Sequence, residues 1–159
     1  MKKFSLLLVV LLSCSRLPAQ NAPASRPVED YSGMYTFLQE GEFVQITVED
    51  QGKVTGFVSR YGDSESDRGA FLDQFFKVGK LDGQKLTFTT VIVHGVSYEF
   101  KGQVERGEGK TLQDEDYYQL KGTLTQNTSD ENKKISSKSR EVVFKSFPQD
   151  AGTDPANPN

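Results

Sequence analysis

The residues able to do chemistry are few in this 159-residue sequence, and they are scattered. His94 is the only histidine. It sits beside Gly95 at the end of an alternating run, on the parity of Phe88 and Ile92. A catalytic dyad or a zinc site needs partners at set spacings, and the chain around His94 offers none, so it reads as a turn histidine. Asp63-Ser64-Glu65-Ser66-Asp67 places carboxylates at alternate positions, as a calcium loop does. Gly69 stands one position late for the glycine of an EF-hand loop, and Gln74 occupies the place of its bidentate Glu. The segment therefore reads as a solvated acidic loop, as does Asp114-Glu115-Asp116. No Gly-x-Ser-x-Gly nucleophile elbow is present. No cofactor and no metal are expected, and an enzyme is the least favoured function class, because no base has an obvious partner.

The single cysteine, Cys14, belongs to the leader. Lys2 and Lys3 precede the apolar run Leu6 to Leu12, and small residues follow: the n-region and h-region of a secretory signal. The run is too short for a membrane span, which needs about 20 apolar residues. Leu11-Leu12-Ser13-Cys14 is similar to a bacterial lipobox, with Leu12 departing from the usual small residue. Under that reading cleavage falls before Cys14, which then carries a lipid anchor. The competing sites follow Ala19, giving a signal over 1–19, or Ala24. Under either reading the mature domain has no disulfide and no thiol nucleophile. Export to the periplasm, the outer envelope or the medium is the expectation.

The chain carries a net charge of -3, with 19 basic and 22 acidic residues. Lys2, Lys3 and Arg16 fall in the leader and no acidic residue does, so the mature chain is more acidic still. It has no basic stripe, which argues against nucleic acid and against anionic lipid surfaces as partners.

The elements that must position any site are strands. Residues 20–30 are rich in Pro, Ala and Ser and read as a linker, and 148–159 lack apolar residues and read as a disordered tail. Between them, over 31–147, apolar and polar residues alternate repeatedly. Val96-Ser-Tyr98-Glu-Phe100-Lys-Gly102-Gln-Val104 is the clearest case, with one wet face. Val44–Val48, Leu86–Ile92 and Tyr118–Leu124 repeat the theme, and strands are predicted near 33–38, 53–61, 75–81 and 140–147. Asp50-Gln51-Gly52, Asp82-Gly83 and His94-Gly95 read as tight hairpin turns. Residues 127–139 are polar and read as a flexible hairpin loop. The fold predicted is all-β: an eight-stranded antiparallel up-and-down meander that closes into a barrel, because closure removes exposed edges. Gly56, Gly102 and Gly122 fall on the apolar face of their strands, where a bend over a small interior leaves no room for Cβ.

Gly33-Met34-Tyr35 resembles the Gly-x-Trp that opens the first strand of avidins and lipocalins, with Tyr in the place of Trp. Gly41, then Phe43–Val48, then Gly52-Lys53-Val54-Thr55-Gly56, resembles the avidin progression through the second and third strands. The resemblance is one of architecture and spans roughly residues 31–125. It implies an avidin- or lipocalin-like barrel whose open end could hold something. It does not imply biotin binding: the chain has no Trp, and Phe37 and Glu42 fall near where the family places biotin-contacting Asn and Ser.

The aromatics Tyr35, Tyr61, Phe71, Phe75, Phe76, Tyr98 and Tyr118 are the ligand-lining candidates, since aromatics suit apolar pockets with polar handles and equally suit a solid core. Residues 62–76 form the longest break between predicted strands. Phe71, Leu72 and Phe75 have the spacing of a short helical turn, which reads as a flap over the barrel mouth or as a plug that completes the core. The function expected is non-catalytic binding of a small or peptide-like ligand in the cell envelope. The alternative is an envelope protein-interaction or structural domain, or an inhibitor, with a filled barrel.

Overall fold

The computed structural model describes residues 30–62, 65, 67–130 and 132–149. The leader, Cys14 and most of the linker lie outside the described residues. Eight strands follow one another in a single antiparallel meander: β1 (Gly33–Thr36), β2 (Phe43–Val48), β3 (Val54–Tyr61), β4 (Phe71–Asp82), β5 (Lys85–Thr90), β6 (Val96–Arg106), β7 (Tyr118–Ser129) and β8 (Ile135–Lys145). The sheet curls on itself. The bridge Tyr35–Ser146 and the hydrogen bond from Phe147 N–H to Met34 C=O (2.9 Å) join its two ends over a short stretch. No helix among the described residues is long and apolar enough to cross a membrane.

The alternation read in the sequence is the inside-outside alternation of the sheet. Val44 and Ile46, Leu86 and Phe88, and Tyr98, Phe100 and Val104 are buried in one core with Leu120, Leu124 and Phe144. Aromatic rings cross that interior in contact. Phe76 stacks on Phe88 at 4.4 Å, Phe88 on Phe100 at 5.3 Å, and Phe144 meets Phe100 at 6.0 Å and Phe37 at 5.1 Å. Gly102 and Gly122 face each other across β6 and β7. A Cβ at Gly102 would lie 2.3 Å from Lys121 O and 2.6 Å from Phe100 Cζ. These glycines let the strands approach and leave volume for the rings, the physical reason for their place on the apolar face.

The His94-Gly95 turn is the two-residue hairpin expected. His94 and Gly95 have φ of 50° and 75°, and Val93 and Val96 exchange both backbone hydrogen bonds.

Three sequence expectations are corrected. The predicted helical turn at Phe71-Leu72-Phe75 is the start of β4, which pairs with β3 from Tyr61–Phe71 to Phe57–Phe75. Three apolar residues are too few to separate the two periods. A bulge between Phe76 and Val78 then switches the inward parity, so that Gln74 and Leu81 both face the core. Residues 127–139, expected as a flexible hairpin loop, are strand over most of their length, with β7 running to Ser129 and β8 starting at Ile135. Polar cross-strand pairs hold them, Thr125–Ser139 at 2.8 Å and Asn127–Ser137 at 2.6 Å, and a polar hairpin carries no hydrophobic alternation to read. Finally, the tail is engaged as far as Gln149, whose Nε2 donates to Ser32 C=O (2.8 Å) and whose N–H donates to Leu112 C=O (2.9 Å).

At the closed end, Lys145 Nζ contacts Asp116 Oδ2 at 3.0 Å and ties β8 to the β6–β7 connection. Burial pushes the Asp116 carboxyl up, but hydrogen bonds from Gln119 and Lys145 outweigh it and hold the group below the usual carboxylate range. Lys145 is correspondingly raised, first by that hydrogen bond. The stabilisation from Asp116 is therefore present above its unfolded pKa of about 3.9 and is lost as pH falls through the lower folded value. That from Lys145 is present below about 10.4 and lost as pH rises through its higher folded value. The Tm gap between wild type and Asp116→Asn is expected to be constant between these limits and to close in acid. A gap that persists to pH 2.5 would show that the pair contributes nothing through titration.

Candidate functional site

The interior differs at its two ends. Toward the 49–53, 83–84 and 107–117 connections it is filled by aromatic and aliphatic side chains. Toward the β1–β2, β3–β4, β5–β6 and β7–β8 connections the inward positions turn polar. Arg60 follows Val54, Gly56 and Val58 on the inward parity of β3. Gln74 precedes Phe76 on β4, Gln126 follows Leu124 on β7, and Arg140 precedes Val142 on β8. With Leu38, Gln39, Glu42 and Tyr98, the residues Arg60, Gln126 and Arg140 line a pocket of ≈ 280 Å³ at this mouth.

The floor is a built polar network. The Arg60 side chain is 2% exposed, unusual for an arginine, and its Nε donates to Gln74 Oε1 at 2.9 Å while its Nη1 donates to Tyr61 C=O at 2.9 Å. Gln74 Nε2 in turn donates to Val96 C=O at 2.7 Å, so Arg60 is held rigidly from β4 and β6. The guanidinium lies 5.9 Å from the Tyr98 ring centroid. Glu42 also lines the pocket. Its two carboxylate oxygens accept from the backbone N–H groups of Gln39 and Tyr61, each at 3.0 Å. Those bonds pin the β1–β2 turn, where Gly41 has φ of 86°, against the end of β3. Arg140 stands at the rim, its Nη2 3.4 Å from Gln126 Oε1. A wall with two guanidinium groups, and one carboxylate already satisfied by backbone donors, suits an anionic or strongly hydrogen-bond-accepting group.

The predicted lining residues divide. Tyr98 reaches the pocket. Tyr35, Phe76 and Tyr118 are interior but belong to the packed part: the Tyr35 hydroxyl donates to Tyr31 C=O at 2.7 Å, and burial raises its pKa well above the ordinary phenol value. Tyr61, Phe71 and Phe75 point to the other face of the sheet. Phe71 and Phe75 are 50% and 59% exposed, and Tyr61 packs on Phe71 at 4.5 Å on the outer wall. The structure does not bring these three to the lumen. Glu42, which falls near a biotin-contacting position of the resembled family, lines the pocket, whereas Arg60, Gln126 and Arg140 are not among the sequence candidates, which are aromatic. The signal for these missed residues was a polar residue continuing the apolar parity at a strand end.

His94 does have a partner. Its Nδ1 lies 2.5 Å from Asp67 Oδ2, tying the β3–β4 connection to the β5–β6 turn beside the mouth. Asp67 is 27 residues away, so no local spacing announces the pair. The alternating carboxylates at 63–67 lie in part outside the described residues, and no metal-holding cluster of His, Cys, Asp or Glu occurs among the described ones.

No family model matches the sequence, and no curated protein is similar to it. Solved structures are. A rhizavidin–biotin complex superposes with a TM-score of 0.54 at 11% identity, covering 74% of this chain and 92% of the other. Apo short afifavidin gives 0.54 at 13% identity, covering 76% and 98%. A bradavidin2–biotin complex gives 0.51 at 13%, covering 73% and 96%. At these identities the likeness is one of fold, and it places the chain's eight curled antiparallel strands beside the avidin barrels, as Gly33-Met34-Tyr35 and the strand order led us to expect.

Proposed function

We propose that this is an exported, non-catalytic binding protein that holds a small ligand bearing an anionic group in the barrel mouth. The observation that carries this reading is the change inside the barrel from packed aromatics to a 280 Å³ polar pocket built around buried Arg60. The pocket is near the lower end of the volumes that hold small ligands. The ring of Tyr98 offers an apolar surface, and Arg140 at the rim can close on a carboxylate. The fold neighbours include biotin complexes, which is consistent with the use of such a mouth for small molecules; the lining here, without Trp, supports a ligand other than biotin.

The test is a thermal-shift screen against a panel of small carboxylates, with native mass spectra of the protein purified from envelope and soluble fractions. Arg140→Gln is expected to weaken the best binder by about tenfold or more, the value of a hydrogen bond to a charged group, at unchanged Tm. Phe71→Ser and Phe75→Ser are expected to leave binding unchanged. The reading fails if no carboxylate raises Tm, or if Arg140→Gln binds as wild type does. The denatured mass also reads the leader, since a lipid-modified Cys14 terminus and a terminus after Ala19 differ in mass.

A second reading, an envelope interaction domain, has one observation of its own. Half-buried Phe43 and Phe57 and exposed Phe75 follow one another across the outer wall at 5.8 and 5.6 Å, and apolar surface of this kind can mark a contact face.

A further inference from the structure

One long backbone edge of the barrel has no partner strand. β8 pairs with β7 from Ile135 to Lys145. On its other side it meets β1 only at its end, through the Tyr35–Ser146 bridge and the hydrogen bond from Lys145 N–H to Thr36 Oγ1 at 2.9 Å. Among the described residues, no strand pairs with that side of β8 between Ile135 and Phe144. Strand alternation identifies the groups left over. Ser146 N–H donates to Tyr118 C=O on the β7 side, whereas Lys145 N–H points toward β1. Ser137, Ser139, Glu141 and Val143 share the parity of Lys145, so their N–H and C=O groups point outward along a free edge.

The side chains along this edge are sorted by face. On the convex face the odd-numbered ones are occupied by β7: Ser137 with Asn127, Ser139 with Thr125 and Glu141 with Thr123. On the concave face Ser136, Lys138 and Arg140 border a cleft of ≈ 370 Å³, and Gln126 and Arg140 line both it and the mouth pocket. That face is cationic.

We propose that β8 accepts an extended acidic peptide of a partner protein as an added strand. The free N–H and C=O groups supply main-chain hydrogen bonds, and the concave side chains supply selectivity. Side chains of an added strand on that face would stand roughly 5 Å from Ser136, Lys138 and Arg140, where opposite charges stabilise and like charges destabilise. Acidic residues at alternate positions therefore match Lys138 and Arg140 together. The same charges disfavour a second copy of this chain. Antiparallel pairing of two β8 edges centred on Ser139 would set Lys138 opposite Arg140 twice, a device that protects exposed edges from self-association. This site goes beyond the mouth pocket, with which it has Gln126 and Arg140 in common, so the test leaves both of those residues alone.

The experiment is fluorescence anisotropy on the full chain with two labelled heptapeptides, one alternating Glu with Thr and Val, the other carrying Lys in place of Glu. The Glu peptide is expected to bind about tenfold tighter or more, and to weaken as salt rises. Ser139→Pro removes an outward N–H and no β7 ladder bond. It is expected to cut Glu-peptide binding about tenfold while the mouth ligand binds as before. Lys138→Glu, which leaves Arg140 as the only cation of the three, is expected to abolish the preference for the Glu peptide, and it decides the matter if Ser139→Pro does not fold. Equal affinity for the two peptides, or a folded Ser139→Pro that binds like wild type, overturns the proposal. Concentration-dependent dimers that Ser139→Pro abolishes would overturn it in favour of a second copy as the occupant.

Discussion

Phe144→Ala is expected to lower the unfolding free energy by about 3–5 kcal/mol, the range for truncating a fully buried phenylalanine. Phe144 is buried at the place where the sheet joins itself. Phe144 precedes Ser146 of the Tyr35–Ser146 bridge by two residues, and its ring touches Phe100 on β6 and Phe37 just after β1. Removing the ring opens a cavity between strands that are held together by little else, since β1 and β8 share one bridge and a few hydrogen bonds. The loss should therefore sit at the upper end of the range. Urea melts with a two-state fit measure it. A loss below about 1 kcal/mol would mean that the β1–β8 closure is not part of the cooperative core.

The second large effect is expected at the facing glycines. Gly122→Ala would place a Cβ 2.3 Å from Lys101 O and 2.4 Å from Gly102 Cα, and Gly102→Ala is blocked in the same way by Lys121 O. The obstacles are backbone atoms, so no rotamer change relieves the clash and β6 must move away from β7. The expected cost is about 3 kcal/mol for either single change, at the top of the overpacking range, or about 10 °C in Tm for a domain of this size. The double variant should cost less than the two singles together, because strands separated by the first Cβ have made room for the second. Additive losses would point to two separate local causes rather than one shared approach of the strands.

These two predictions rest on different kinds of information. Phe100 lies in a clean alternating run that places it inside, whereas Phe144 follows Val142 and Val143 directly, and pairing with Leu120 on β7 decides its side. The glycines were suspect because a small residue on an apolar face needs a cause. Their cause is only half visible in the sequence. Curvature was inferred from the repeated pattern, but the pairing of Gly102 with Gly122, and the ring of Phe100 lying over it, come from strand register.

The candidate site shows where legibility ends. The inward side of Tyr98 is legible because it lies within a clean alternating strand. Phe71 and Phe75 were placed wrongly because two short-range patterns competed over residues 71–76, and pairing with β3 decided between them. The bulge after Phe76 then changed the parity, which no local count could locate. His94 and Asp67 are brought together by two turns packing at one end of the barrel.

By itself the sequence determined the number of strands, the tight turns after Asp82 and at His94-Gly95, the membership of most of the core and the meander order. All of these follow from a two-residue period and from turn chemistry, which act over a few residues. Only the tertiary structure decided which end of the interior is open, that Arg60 is fixed by Gln74 as its floor, and that β8 keeps a free edge. Each depends on which strand lies beside which and at what register, and on residues 14 to more than 100 positions apart, distances at which local pattern carries no signal.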